Sequence, residues 1–549
     1  MDMSVASDRK VESVAIITAL RRGTVPNSGL SRLAVGIDSE EKVISSQLEF
    51  VASGHSDCKF IRGDYGSGKT FLIARTAELA GNQKFVVSHV VISPDTPLHK
   101  LQAIYTKICA GLTTATETHA LKSIIDTWIY GIEDRLIETG IKEDDPMLRE
   151  QTSKEIEATL GRVAGVSSGL ASAVRVYYNS NNKGDFATAQ AAIGWISGDA
   201  TVANRSFKSQ AGVKGIVSES DALLFLRGIV YLIRQAGFSG LFVSFDEVET
   251  AQAFSRPQRE KGYINLRQIV DLVDKCEIPG TFFLFAGTPA FFESAKGIRS
   301  LPPLYDRIGP ISQDGFANPL QTQISLSKFN MEKLENVAYK VAEIYSEGYG
   351  NVDSSRISPK LIRTMISKIT SRFGGRVDIV PRLFLREFID VLDKSALYES
   401  YNPLEKYSFV PEKGDATLNE EEMATAIAGA FLISNSDLLR ELGTKRTTIS
   451  KDLNMVCNEY GISMFMLIKR ANQANIISEP LAKNFYINAN KKNLKDNEPN
   501  RVSKQEEPTL FKQLVCRAVN EEGISIQKGA ELLKTSINEL TNYCGPMEV

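Results

Sequence analysis

The octapeptide Gly63-Asp64-Tyr65-Gly66-Ser67-Gly68-Lys69-Thr70 sets three glycines, a lysine and a threonine between an apolar run and a helical pattern. Its spacing is G-x-x-x-x-G-K-[ST], and the flanking pattern is strand, loop, helix. Chemically, this is an arrangement for holding phosphate. Gly63, Gly66, Ser67 and Gly68 let backbone N–H groups turn inward around phosphate oxygens, and the helix that follows presents its positive end to the same anion. Lys69 is placed to reach β- and γ-phosphates, and the Thr70 hydroxyl to ligate Mg²⁺, so the expected ligands are ATP and Mg²⁺. The alternative, a glycine-rich turn with a solvated lysine, does not account for the full spacing in this context.

Hydrolysis needs further groups. The apolar run "GLFVSFDE" (Gly240–Glu247) ends in two carboxylates. At the C-terminal edge of a parallel sheet, Asp246 would hold the metal through water, and Glu247 would polarise the attacking water as a general base. Such a pair also serves as a helix N-cap. "GTFFLFAGTP" (Gly280–Pro289) brings Thr288 to another strand end, where it would orient the water or sense the γ-phosphate, or simply form a turn. Arg307 in "LYDRIGP", with Arg299 nearby, is a candidate to complete charge on the transferring phosphoryl group from a neighbouring subunit; the rival is a surface salt bridge. Arg382 opens the helix in "VDIVPRLFLREFID" and would reach back to the nucleotide from a helical lid, with Arg376 as the fallback.

These residues must be positioned by a parallel sheet. "CKFIRG", "KFVVSHVVIS", "GLFVSFDE", "GTFFLFAGTP" and "QTQISLSKF" read as short buried strands, and "KTFLIARTAELAG" as the helix after the phosphate loop. Residues 10–22 read as an amphipathic helix, and "SRLAVGIDSEEKVISSQLEFVASG" as strand, turn and helix. The long stretch at about 98–218 reads as a helical insertion between two strands, interrupted by polar, flexible stretches such as "YYNSNNKGD". "SDALLFLRGIVYLIRQAG" is a strong helix capped by Ser or Asp. The expected class is α/β, a P-loop NTPase sheet with helical insertion, helical lid and all-α C-terminal region. Expected boundaries are about 1–50 for an N-terminal helical segment leading into the ATPase, 51–330 for the core, 331–400 for the lid and 401–487 for a helical domain. A polar linker at about 488–508 and a small helical tail at 509–549 complete the chain.

Bulk composition narrows the partners. The 549-residue chain carries a net charge of −2, which gives no general attraction to nucleic acid or anionic membrane. Its six cysteines form no C-x-x-C pair, and its four histidines all precede residue 120, which argues against a disulfide framework and a zinc cluster. No apolar run approaches the roughly 20 residues that span a bilayer, and the N-terminus lacks a signal-peptide pattern. The expectation is a soluble cytoplasmic protein.

The order of phosphate loop, acidic strand, polar strand end, candidate arginine finger and helical lid resembles an AAA+ ATPase. "IITALRRGTVP", "FIRGDYGSGKTFL", "FDEVET", "REKGYINLRQIVD" and "FLFAGTPAFFESAKGIRSLPPLYDRI" resemble, over about residues 10–390, the ATP-binding protein family of bacterial phage-exclusion (BREX) systems and related defence operons. That resemblance implies an ATPase in anti-phage defence acting with other operon products, such as a helicase, nuclease or methyltransferase, as a homo-oligomer. Arg259 and Arg267 would respond to nucleotide, or serve capping and salt-bridge roles. In the tail, "LNEEEMATAIAGAFLIS", "LNMVCNEYGISMFMLIKRANQANIIS" and "ISIQKGAELLKTSINEL" are similar to the region after the zinc helix of ImmA/IrrE-type metallopeptidases. The H-E-x-x-H helix is missing and no histidine follows His119, so peptidase activity does not carry over. The tail then binds a partner protein. Alternatively "TKRTTISKDLN" or "ISIQKGAELLKTSINEL" forms a DNA-reading helix-turn-helix, which the few basic residues on its second helix disfavour. Two functional classes follow: a Mg²⁺-dependent ATPase that drives assembly or remodelling of a defence complex, and a nucleotide-dependent adaptor or sensor with little turnover.

Overall fold

The computed structural model describes residues 3–199, 205–309, 318–326, 329–350, 357–371 and 381–409 and, beyond 410, chiefly 435–443, 453–460, 462–474, 476–491 and scattered positions between 515 and 540. The chain forms two units, Met1–Val410 and Pro411–Val549. In the first, five strands make a parallel sheet in the order β2-β3-β4-β1-β5. They are β1 (Ser56–Arg62), β2 (Phe85–Val91), β3 (Gly240–Asp246), β4 (Thr281–Gly287) and β5 (Gln323–Ser325). This is the α/β architecture expected for a P-loop NTPase.

Both central strands, β3 and β4, are buried at every position, which explains their near-continuous apolar sequences. Because side chains alternate across a strand, each strand feeds two cores. Phe60, Phe245, Phe283 and Phe285 face the inserted helices, with Phe285 stacked on Phe60 at 4.7 Å and on Phe245 at 4.8 Å between ring centroids. Ile61, Phe242, Phe282 and Leu284 face the other side, against α2 (Asp38–Ala52) and α3 (Lys69–Asn82). Register aligns Arg62 with Gly287 and Asp246 with Val91, so the phosphate loop, Asp246 and Thr288 emerge at one sheet edge.

The insertion is helical, from α4 (Leu101–Ala110) through α5 (Leu121–Glu138), α6 (Pro146–Val166), α7 (Ser168–Asn182), α8 (Phe186–Ile196) and α9 (Arg205–Ala211) to α10 (Ala222–Gln235) before β3. "YYNSNNKGD" interrupts it only at Lys183–Asp185: Tyr177 and Tyr178 are buried, and Tyr177 Oη donates to Asp126 of α5, so α7 runs on to Asn182 before the turn that leads to α8. At α10 the Asp221 side chain makes no capping bond to the helix; Ser218 Oγ instead accepts from the Asp221 N–H at 3.3 Å. The strand expected after Ser31 is a 3-10 turn, Leu30–Arg32, whose Leu33 packs among helices rather than in the sheet.

Helix α1 (Met3–Arg21) lays Ile16, Ile17 and Leu20 against α14 (Met331–Tyr349), α15 (Pro359–Ser371) and α16 (Pro381–Leu397). Arg21 fastens it by a paired contact with Asp393, both bonds at 2.8 Å. Tyr407 and Phe409 close the same core. In the second unit, helices Asn435–Leu442, Leu453–Tyr460, Met464–Gln473 and Glu479–Lys491 bury Leu438, Leu453, Leu467, Ile468 and Ile477 together. The expected linker therefore begins no earlier than residue 492, since 488–491 complete a helix; the rest of it, and "LNEEEMATAIAGAFLIS", lie outside the described residues.

Candidate functional site

Gly63 leaves β1 with its N–H donated to Gly287 O at 3.2 Å, tying the loop to the end of β4. A Cβ on Gly63 would lie 2.2 Å from Ser67 Oγ, so the loop closes on itself only because this residue has no side chain. Gly66 (φ 80°) and Gly68 (φ 93°) occupy the left-handed region that glycine tolerates. Gly68 caps α3 without any side-chain bond, which leaves the first N–H groups of this 14-residue helix to a ligand. Ser67 is only 7% exposed, and its buried Oγ has no hydrogen-bond partner.

Lys69 is 8% exposed. Its Nζ donates to Gly63 O at 2.9 Å and Asp64 O at 3.1 Å and lies 5.1 Å from the Tyr65 ring centroid. Burial pushes its pKa down, opposed by the carboxylates of Glu249, Asp246, Asp64 and Glu247. On the next residue, Thr70 Oγ1 donates to Asp246 Oδ2 at 2.9 Å, while Glu247 N donates to Asp246 Oδ1 at 2.9 Å. Both oxygens of this buried aspartate are therefore oriented.

Just past Asp246 the backbone turns sharply. Glu247 sits at φ 56°, ψ 37°, left-handed for a non-glycine residue, and its side chain is exposed. The turn enters a 3-10 helix, Val248–Ala253, that carries Glu249 back toward β4. Glu249 Oε2 accepts from Thr288 N at 3.3 Å, whereas Oε1 is buried without a partner. Burial raises the Glu249 pKa; its own backbone N–H, Lys69 and the Thr288 N–H oppose the rise, and Asp246 adds to it. Gly287 makes room for this approach: a Cβ there would lie 2.7 Å from Val248 Cγ2 and 3.4 Å from Glu249 Oε2. Sequence reasoning passed over Glu249; its only signal was a third acidic residue in "FDEVET". Thr288 is buried at the N-cap of α12 (Pro289–Glu293), with no capping bond from its side chain.

The arginines lie elsewhere. Arg307, on α13 (Pro302–Ile308), pairs with Asp271 at 3.0 Å and reaches Asp274 at 3.7 Å, both on α11 (Arg256–Asp274). Arg299 is exposed on the 3-10 turn Ile298–Ser300. Arg382, second residue of α16, is exposed, and its stem lies 3.7 Å from where a Cβ on Gly23 would stand, beside the turn that follows α1. Arg376 lies outside the described residues. Arg259 donates to Phe254 O at 3.2 Å, and Arg267 pairs with Asp271 at 3.5 Å. The structure thus gathers Gly63, Gly66, Ser67, Gly68, Lys69, Thr70, Asp246 and Thr288 at one edge, with Glu247 on its exposed side.

The residues present fit a nucleotide with Mg²⁺. Ser67 Oγ is a buried group lacking a partner, Gly68 caps α3 with no side-chain bond, and Thr70 with Asp246 supplies two hard oxygen donors. Mg²⁺ typically takes only one or two protein oxygens and keeps waters and substrate phosphates as its other ligands. Among the described residues, no group of three or more His, Cys, Asp or Glu side chains is placed to hold a metal by itself.

Residues 9–411 match the family of the BREX system ATP-binding protein BrxC/D. The chain belongs to that family. Its members are ATP-binding proteins of a phage-exclusion system, and the matched span contains the whole sheet, the phosphate loop and the α14–α16 helices. No curated protein matches the chain. The family match stops at residue 411, so the likeness of the tail to ImmA/IrrE-type proteins gains no support. Among the described residues no helix is long and apolar enough to cross a membrane.

Proposed function

We propose that this chain binds MgATP at Gly63–Thr70 and hydrolyses it to drive assembly or remodelling of an anti-phage defence complex in the cytoplasm. The observation that carries this reading is the 2.9 Å contact between Thr70 and Asp246, which joins the phosphate loop to the acidic strand end beside buried Lys69. Lys69 would leave the Gly63 and Asp64 carbonyls to meet the β- and γ-phosphates. Ser67 and the loop N–H groups would enclose the anion. Thr70 and Asp246 would hold Mg²⁺, which when bound supplies positive charge to the phosphate oxygens. The sequence assigns the base to Glu247, and Thr288 would orient the water. Arg382 would sense nucleotide from the α14–α16 helices, and Arg307 would act on the site of a neighbouring copy in a homo-oligomer. The tail would bind another operon product, with DNA as the less favoured partner.

Lys69→Ala is expected to abolish ATP binding in a titration at constant Mg²⁺; unchanged affinity would sink the phosphate-loop reading. A nucleotide-dependent adaptor with little turnover is the second reading. It is favoured by one observation: Arg307 is tied to Asp271 within its own chain.

A further inference from the structure

Glu249 is a half-buried carboxylate with one covered oxygen for which packing alone offers no reason. Oε2 takes the Thr288 N–H, but Oε1 is shut away from solvent with nothing to bond. Leaving such an atom unpaired is costly, and more so when the group is charged. A buried group in that condition calls for an occupant or a task. The charged groups that act on it are Lys69 of the phosphate loop and Asp246 at the end of β3, and among the four carboxylates acting on Lys69, Glu249 acts most strongly. Glu247, by contrast, has an exposed side chain. The left-handed turn at Glu247 and the missing side chain at Gly287 are the two backbone features that bring Glu249 inward.

We propose that Glu249, in place of Glu247, is the general base of ATP hydrolysis, its unpaired Oε1 taking the proton from the attacking water while Oε2 holds Thr288 in place. This rests on the ATP site proposed above. As the water oxygen bonds to the γ-phosphorus, one water proton passes to Glu249 Oε1. The bond between the γ-phosphorus and the bridging oxygen breaks, and ADP leaves with the electron pair. The proton on Glu249 is then released to solvent. Desolvation suits the carboxylate to this task, because it raises the proton affinity of the group. Lys69 opposes the rise.

The experiment compares full-length wild type with Glu249→Gln, Glu249→Asp, Glu247→Gln and Lys69→Ala, measuring ATP affinity and turnover from about pH 5.5 to about pH 9. A base must be deprotonated, so wild-type kcat falls as pH drops through the Glu249 pKa. Glu249→Gln retains an oxygen for the Thr288 N–H. It is expected to keep ATP affinity within about threefold, to lower kcat by about 100-fold or more, and to erase that acid limb. Glu249→Asp, one methylene shorter, should lose rate yet keep an acid limb, and Glu247→Gln should keep the limb as well. Wild-type kcat in either Glu249 variant overturns the proposal. So does an acid limb that survives in Glu249→Gln, or one that disappears only in Glu247→Gln. Tight ATP binding by Lys69→Ala would instead bring down the ATP-site reading on which the proposal stands.

Discussion

Gly63→Ala isolates the tightness of the phosphate loop from its charge. Gly63 lies outside the left-handed region, so alanine meets no backbone penalty there and the effect is steric. The new Cβ would stand 2.2 Å from Ser67 Oγ, 3.2 Å from Ser67 Cβ and 3.4 Å from Leu326 Cβ. The hydroxyl can rotate away, but the Ser67 Cβ contact is already tighter than ordinary packing and Leu326 blocks retreat on the other side. The loop must open by several tenths of an ångström. Overpacking of this kind costs about 1–3 kcal/mol. Because the strain falls on the atoms that would enclose phosphate, it should appear as roughly 5- to 150-fold weaker ATP binding. Titration of wild type, Gly63→Ala, Ser67→Gly and the double variant at fixed Mg²⁺ gives the coupling. Ser67→Gly removes the two closest atoms, so the double variant should lose less than the sum of the singles. ATP affinity in Gly63→Ala within about twofold of wild type, or strict additivity, would refute the reasoning.

Arg307→Ala is expected to leave ATP affinity nearly unchanged and to cost less than about 1 kcal/mol in stability, because its pairs with Asp271 and Asp274 are partly exposed. Turnover should fall, and mixing with Glu249→Gln should restore it if the arginine serves a neighbouring copy; assemblies that exchange subunits yet regain nothing at any ratio would exclude that role. Truncation should depend sharply on where the chain is cut. A chain ending at residue 410 keeps Tyr407 and Phe409 in the core of α1, α14, α15 and α16, whereas one ending at 399 loses both side chains, each worth about 1.5–3 kcal/mol when buried. The first should match wild-type ATP affinity, the second should melt several degrees lower, and equal melting temperatures would contradict the packing.

Local pattern was enough for the strands and the phosphate loop. An apolar run bounded by glycine or proline has few structural outcomes, and the glycines of the phosphate loop serve a requirement met within eight residues. The sequence alone therefore determined the five strands, the Gly63–Thr70 loop, the acidic end of β3 and the family to which the chain belongs. It determined the helical insertion too, but not where polar residues lay inside it. In "YYNSNNKGD" only the last three residues break the helix, because Asp126, 51 positions away, accepts the Tyr177 hydroxyl and holds the first six in α7.

Only the tertiary structure decided which charges meet. Lys59 lies in the middle of a buried strand, and in the fold its ammonium donates to the carbonyls of Pro319 at 3.0 Å and Gln321 at 2.6 Å. Helix α1 reads as a lead-in to the sheet but packs on helices more than 300 residues later, with Arg21 held by Asp393 at a separation of 372. Glu247 and Glu249 are equally acidic on paper. One backbone turn exposes the first and draws the second half under cover, and a glycine on another strand makes room for it. Sequence periodicity reports which face of an element is apolar. Which ionisable groups lose their water depends on what distant chain segments cover them, and burial of that kind sets pKa.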